Sequence, residues 1–197
     1  KEIFIELIKI VSNILKKNNI KWIPIGGNLL ALYRHNNLLI PWDDDYDIVI
    51  EEDKVNLALN ILKKELPKYN ANIIEFRKWG KKNGKLYKVF YKKNHPKYKN
   101  YLSNYKKYQH TWPFIDIFVN VEHMDKLVDY AHNLKYTEYP LKKKIIEGIE
   151  LYVPTRGPRT FQKYKESGML TECRDDTYMH KFEKRMIKTM QKGSRIM

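Results

Sequence analysis

Ile3, Phe4, Leu7, Ile8, Val11, Ile14 and Leu15 recur at three- and four-residue intervals, which predicts an amphipathic helix over 3–15. Asn18-Asn19 ends it. Trp22 to Ile25 reads as a short strand. Leu29 to Tyr33 reads as a helix opened by Asn28, a residue type that caps helix N-termini well. Pro41 then forces an extended approach to a strand over 45–50, where Tyr46 and Ile48 alternate with Asp45 and Asp47. Asp53 is placed to cap a helix bearing Val55, Leu57, Leu59, Ile61, Leu62 and Leu66, stopped by Pro67. Asn72–Phe76 and Leu86–Tyr91 read as two strands joined through Gly80–Gly84. Phe114–Asn120 is a buried-strand pattern, 123–134 is helical, and 144–153 is a hairpin turning at Glu147-Gly148. A short basic helix at 156–165 and an amphipathic helix at 175–191 complete the pattern.

Two places break the apolar logic. Asp43, Asp44, Asp45 and Asp47 put four carboxylates into five positions, and like charges this close repel one another. In a strand, Asp45 and Asp47 face the same side, roughly 6.5 Å apart, where they can share a hard cation. Asp116 interrupts the strand FIDIFVN. A carboxylate there is costly unless paired or bound to a metal, and a third carboxylate is what the Asp45/Asp47 pair lacks. Just upstream, Gly26-Gly27-Asn28 stands between a strand and a helix. Glycines there let the backbone approach a phosphate, and a helix N-terminus adds positive potential.

Composition alters this picture in a few respects. The chain has 197 residues, enough for one domain with a real core. Its net charge of +15 comes from 38 basic residues, mostly Lys. The Lys-, Asn- and Ile-rich composition fits an AT-rich gene, microbial or viral, but the positive field still favours anionic partners such as nucleotides, phosphorylated glycans or nucleic acid. Residues 92–113 are rich in Lys and Tyr and poor in aliphatics. They read either as a solvated loop or as an arm that stacks on a glycan or a nucleic-acid strand. Cys173 is the only cysteine, which excludes an intrachain disulfide and a cysteine zinc site. His110, His123 and His180 have no metal spacing and read as structural. No apolar run reaches ~18 residues, so no membrane span is expected. Lys1 rather than Met at the start points to a piece of a longer protein, so both a cytoplasmic and an anchored, secretory-pathway setting fit.

The stretch 22–50 resembles the LicD family, which includes bacterial phosphocholine transferases and fukutin-related ribitol-phosphate transferases. The family pattern is a Gly-Gly-Thr or Gly-Ser step, Leu-Leu-Gly-Ala, Arg-His, then Pro-Trp-Asp-x-Asp-x-Asp. Here stand Gly26-Gly27-Asn28, Leu29-Leu30-Ala31-Leu32, Arg34-His35 and Pro41-Trp42-Asp43-Asp44-Asp45-Tyr46-Asp47. Phe114-Ile115-Asp116-Ile117-Phe118 is similar to its second block and Glu150-Leu151-Tyr152-Val153-Pro154 to its third. Asn28 in place of Ser or Thr, and Ala31 in place of Gly, are the departures. The joint match is specific where any one piece would be weak.

The resemblance implies an α+β fold of the nucleotidyltransferase, polymerase beta-like kind, with a mixed central sheet flanked by helices. It implies a single domain over 1–197, its core in about 1–165 and a C-terminal helical segment over 166–197. Asp45, Asp47 and Asp116 would be the catalytic residues and would hold one or two Mg²⁺ or Mn²⁺ ions, with Asp43 or Asp44 assisting. Oxygen ligands suit such hard cations. Gly26, Gly27 and Asn28 would cradle the donor's pyrophosphate, with Asn28 donating to phosphate. Arg34 would hold phosphate oxygens or pair with the Asp cluster. His35 would orient an Asp or carry a proton. Asp116 would be the preferred proton acceptor. The implied reaction moves a phospho-alcohol from a CDP-activated donor to a glycan hydroxyl. Nucleotidyl transfer from an NTP to an RNA, sugar or small molecule uses the same triad and is the alternative; a non-catalytic basic binding module is the third reading.

Overall fold

The computed structural model describes residues 2–34, 36–39, 45–50, 52–79, 84–100, 109–119 and 141–154. The helices expected at 123–134, 156–165 and 175–191, and residues His35, Trp42, Asp43 and Asp44, lie outside them, as does the side chain of Arg34.

Helix α1 (Glu2–Lys17) forms where the stripe predicts and buries Phe4, Leu7, Ile8, Val11, Ile14 and Leu15. Glu2 in its first turn and Lys16 and Lys17 in its last complement the helix dipole. Asn18 Nδ2 donates to the Ile14 carbonyl at 2.8 Å and Asn19 takes φ 53°, so the two asparagines terminate it as expected. After β1 (Trp22–Pro24), helix α2 runs over Gly26–Arg34, and β2 over Asp45–Ile50.

Helix α3 (Val55–Glu65) departs from expectation at both ends. A 3₁₀ turn, Glu52–Lys54, precedes it, and Lys54 occupies the N-cap without a side-chain hydrogen bond, so Asp53 is not the cap. Pro67 does not stop the helical path either. It sits in the first turn of a second 3₁₀ segment, Leu66–Tyr69, where a missing N–H costs nothing, and left-handed Asn70 ends the run. The strands β3 (Ala71–Trp79) and β4 (Gly84–Tyr91) form the expected antiparallel pair, followed by β5 (Phe114–Val119).

The molecule is an α+β structure with a mixed five-stranded sheet in the order β1-β2-β5-β4-β3. Among the described strands only β2 and β5 run parallel; the other neighbours in this sheet are antiparallel. The twofold periodicity of strands sorts its residues. Tyr46, Ile48, Ile50, Tyr87, Val89, Tyr91, Ile115, Ile117 and Val119 join the apolar faces of α1 and α3 in one core. Each large apolar side chain so buried contributes roughly 1.5–3 kcal/mol. A separate hairpin, β6 (Leu141–Ile146) and β7 (Ile149–Pro154), turns at Glu147 and Gly148, both with positive φ. That is the two-residue turn whose twist matches antiparallel strands. β7 packs on β1 and α1, where Ser12 Oγ donates to the Glu150 carbonyl at 2.9 Å.

The described part of residues 92–113 is not the wholly solvated loop. Lys93, Asn94, Pro96 and Lys97 are exposed, but His95 and Tyr98 are buried. The His95 ring stacks on Tyr98 at 4.7 Å, and the Tyr98 hydroxyl donates to Glu6 on α1. Among the described residues no helix is long and apolar enough to cross a membrane.

Candidate metal and phosphate site

The face of the sheet opposite α1 and α3 carries three rows of side chains across β2, β5 and β4. Val49, Phe118 and Leu86 form one row, and Asp45, Phe114 and Phe90 another. Between them lies the charged row Asp47, Asp116 and Lys88. Parallel pairing of β2 with β5 sets Asp47 directly beside Asp116. One carboxylate oxygen from each of Asp45, Asp47 and Asp116 lies within 4.8 Å of the other two. An ion held 2.0–2.6 Å from each oxygen spans pairs up to roughly 4–5 Å apart. The donor set is all oxygen and all anionic, so it fits a hard divalent cation. Asp45 and Asp47 are half-buried, whereas Asp116 is buried.

Helix α2 closes the site from the side of β2. Gly26 takes φ +57°, and a Cβ built there would lie 3.7 Å from Asp47 Oδ2. The Ile25 N–H donates to the Asp47 carbonyl at 3.0 Å. The positive end of α2 thus sits against the Asp47 carboxylate. Asn28 does not open the helix, which begins at Gly26. Its amide is engaged with the backbone of β2. It is almost wholly buried; its Oδ1 accepts from the Asp47 N–H at 2.7 Å and its Nδ2 donates to the Asp45 carbonyl at 3.4 Å. Asn28 therefore clamps the backbone of both aspartates to the first turn of α2. Asn is suited to this because its amide offers a donor and an acceptor side by side. This role follows from β2 supplying the matching pair of backbone groups.

Lys88 is the residue that the sequence pattern did not single out. Its Nζ donates to Asp116 Oδ1 at 2.6 Å, and both side chains are almost entirely buried. The same ammonium lies 3.5 Å from the Phe114 ring centroid and 4.8 Å from that of Phe76. Beyond it, His110 packs among Phe76, Phe90, Trp112 and Phe114, in keeping with a structural histidine. One signal was present. Lys88 shares its strand face with the apolar Leu86 and Phe90, where a charge needs a partner as much as Asp116 does.

Gly27 lies in the first turn of α2, and Arg34 is its last residue, at the end of the helix away from the carboxylates. At 1.5 Å per residue those two ends of α2 are about 12 Å apart. The strand Ile149–Pro154 ends in Val153-Pro154, outside the carboxylate cluster.

Residues 19–156 match the family model described as the LicD/FKTN/FKRP nucleotidyltransferase domain. Among curated proteins, the chain is 29% identical over 159 residues to an uncharacterized protein of Rickettsia typhi, covering 76% of this chain and 41% of that protein. It is 30% identical over 152 residues to an uncharacterized protein of Rickettsia prowazekii, covering 76% of this chain and 49% of that protein. The chain spans half or less of the length of these relatives.

Proposed function

Since the chain belongs to the LicD family, whose members are generally transferases, we propose that it is a metal-dependent phosphotransferase acting on a CDP-activated phospho-alcohol. The observation that carries this reading is the convergence of Asp45, Asp47 and Asp116 within 4.8 Å beside the glycine bend of α2. The family also supports reading the mixed sheet as a polymerase beta-like nucleotidyltransferase fold, and the chain as one domain over 1–197.

In this proposal the three carboxylates hold Mg²⁺ or Mn²⁺, which when bound polarises phosphoryl oxygens and neutralises their charge. Asp43, two positions before Asp45 in the sequence, assists. The backbone of Gly26 and Gly27, at the positive end of α2, receives the pyrophosphate of the donor. Asn28 acts indirectly, by fixing the two β2 aspartates. Arg34, at the far end of α2, serves the donor or acceptor further from the reacting phosphorus, and His35 is assigned to orient an aspartate or carry a proton. The acceptor is a glycan hydroxyl, and CMP is the leaving group. Lys88 makes Asp116 a poor proton acceptor, because an ammonium stabilises the ionised carboxylate. The end of α2 does the same for Asp47. Asp45, half-buried where Asp116 is buried against Lys88, is assigned to take the hydroxyl proton in place of Asp116. Phosphoryl transfer asks for this kind of positioning more than for covalent catalysis.

The test is to incubate the protein and Mn²⁺ with CDP-choline, CDP-ribitol, CTP and ATP, each with a mixed glycan acceptor, and to read products by mass spectrometry. CMP released from a CDP-linked donor, together with an acceptor heavier by the phospho-alcohol, is expected. Pyrophosphate from CTP or ATP with a nucleotidylated product would establish nucleotidyl transfer instead.

A further inference from the structure

The buried cation in the carboxylate row contacts no reacting group in the reaction proposed above. Lys88 does not reach a substrate: one side of its ammonium is on Asp116 and the rings of Phe114 and Phe76 lie against it. Nor is the pair explained as a stabilising device. Burying two charges is costly, and an apolar pair of similar volume is often as stable. What the pair does change is the electrostatics of three carboxylates held within 4.8 Å. Their formal charge is three negative without Lys88 and two negative with it.

We propose that Lys88 is a positioning residue of the metal centre, a resident cation that holds the Asp116 carboxylate aligned with Asp45 and Asp47 before any divalent ion arrives. This rests on the metal-centre reading of the triad. The same positive charge opposes the incoming ion. With Nζ 2.6 Å from Asp116 Oδ1, an ion on this carboxylate sits roughly 4–5 Å from the ammonium, given metal–oxygen distances near 2 Å. At that separation repulsion in a protein interior outweighs that in water several-fold. The site is thus preassembled but holds a divalent ion weakly on its own. Tight occupancy requires the extra negative charge of a diphosphate, so the ion and the nucleotide-linked donor enter together.

The experiment titrates Mn²⁺ calorimetrically into metal-free wild type, Lys88→Met and Lys88→Arg, with and without CDP as the diphosphate probe. In wild type, CDP is expected to tighten Mn²⁺ at least tenfold. Lys88→Met is expected to bind Mn²⁺ alone at least tenfold more tightly than wild type and to gain less from CDP. Lys88→Arg, which keeps the charge, is expected to return towards wild type. Equal Mn²⁺ affinity in wild type and folded Lys88→Met would reduce Lys88 to a structural residue and overturn the proposal alone. Absence of Mn²⁺ uptake by all three proteins, with or without CDP, would overturn the metal reading as well. Should Lys88→Met not fold, the melting temperature of wild type decides. Mn²⁺ alone should shift it by less than about 2 °C, and Mn²⁺ with CDP by clearly more; a large shift with Mn²⁺ alone overturns the proposal.

Discussion

Asp47 and Asp116 are neighbours across the β2–β5 pair, but they meet different partners. Asp47 faces Gly26 and the start of α2, while Asp116 holds Lys88 in a buried pair. Asp47→Asn should abolish transfer and leave the metal-free melting temperature unchanged or slightly higher, because it relieves repulsion within the cluster. Asp116→Asn should also abolish transfer, yet lower that temperature, because it strands a buried ammonium. Breaking one side of such a pair costs about 3–5 kcal/mol. Thermal unfolding of both variants in chelator compares them directly; equal shifts would contradict the distinction. Asn28→Ala removes an acceptor and a donor from the β2 backbone. Leaving such groups unmet costs about 1–3 kcal/mol each. The expected result is a fall in kcat with little change in donor KM, measured by steady-state kinetics. A change in KM alone would return Asn28 to direct phosphate contact.

Two elements have stabilities that depend on a single local feature. The β6–β7 turn puts Gly148 at φ +76° with no atom near its missing Cβ. Gly148→Ala therefore meets no clash but pays the left-handed penalty, about 1 kcal/mol, visible as a lower denaturant midpoint. The turn after β4 is tied by His95 Nδ1, which accepts from the N–H groups of Lys97 and Tyr98, each at 3.2 Å. Burial holds this imidazole below the usual histidine value, against the opposing pull of the Glu6 carboxylate. The unfolded chain therefore binds more protons than the folded one, and stability rises with pH. The contribution is present above the unfolded value of about 6.5 and declines as pH falls through it. Amide exchange at residues 97 and 98 should accelerate between about pH 7 and 5 beyond its intrinsic trend. Protection that is flat across that window would remove His95 as the source of a pH-dependent contribution.

For the whole molecule, charge is the dominant global property. A formal charge of +15 on 197 residues repels itself in the folded state. Raising NaCl from about 10 to 150 mM, which shortens the screening length to roughly 8 Å, should raise the melting temperature by a few degrees; a fall would mean that specific ion pairs outweigh the net field. Ion pairs such as Lys68–Glu65 at 2.6 Å and Lys85–Glu75 at 2.9 Å are exposed enough to contribute little. The same field attracts polyanions without selecting them, so the charge says less about the acceptor than the carboxylate row says about the reaction.

Local pattern was sufficient for what is local. The stripe of α1, the alternation in β2, the β3–β4 pair and the Glu147-Gly148 turn are each written in a few adjacent residues, because helix and strand periods act over that range. The pairing of Asp45 with Asp47 was legible for the same reason, and so was the need of Asp116 for a partner, since an apolar strand makes a lone carboxylate expensive. The partner itself was not legible. Lys88 is 28 residues away from Asp116, and only the antiparallel β4–β5 register sets them side by side. The use of Asn28 was likewise decided by tertiary structure, because its two backbone partners belong to another strand. Residue spacing carries the period of an element, but the choice of which strand lies beside it, and in which register, is settled by the packing of the sheet as a whole.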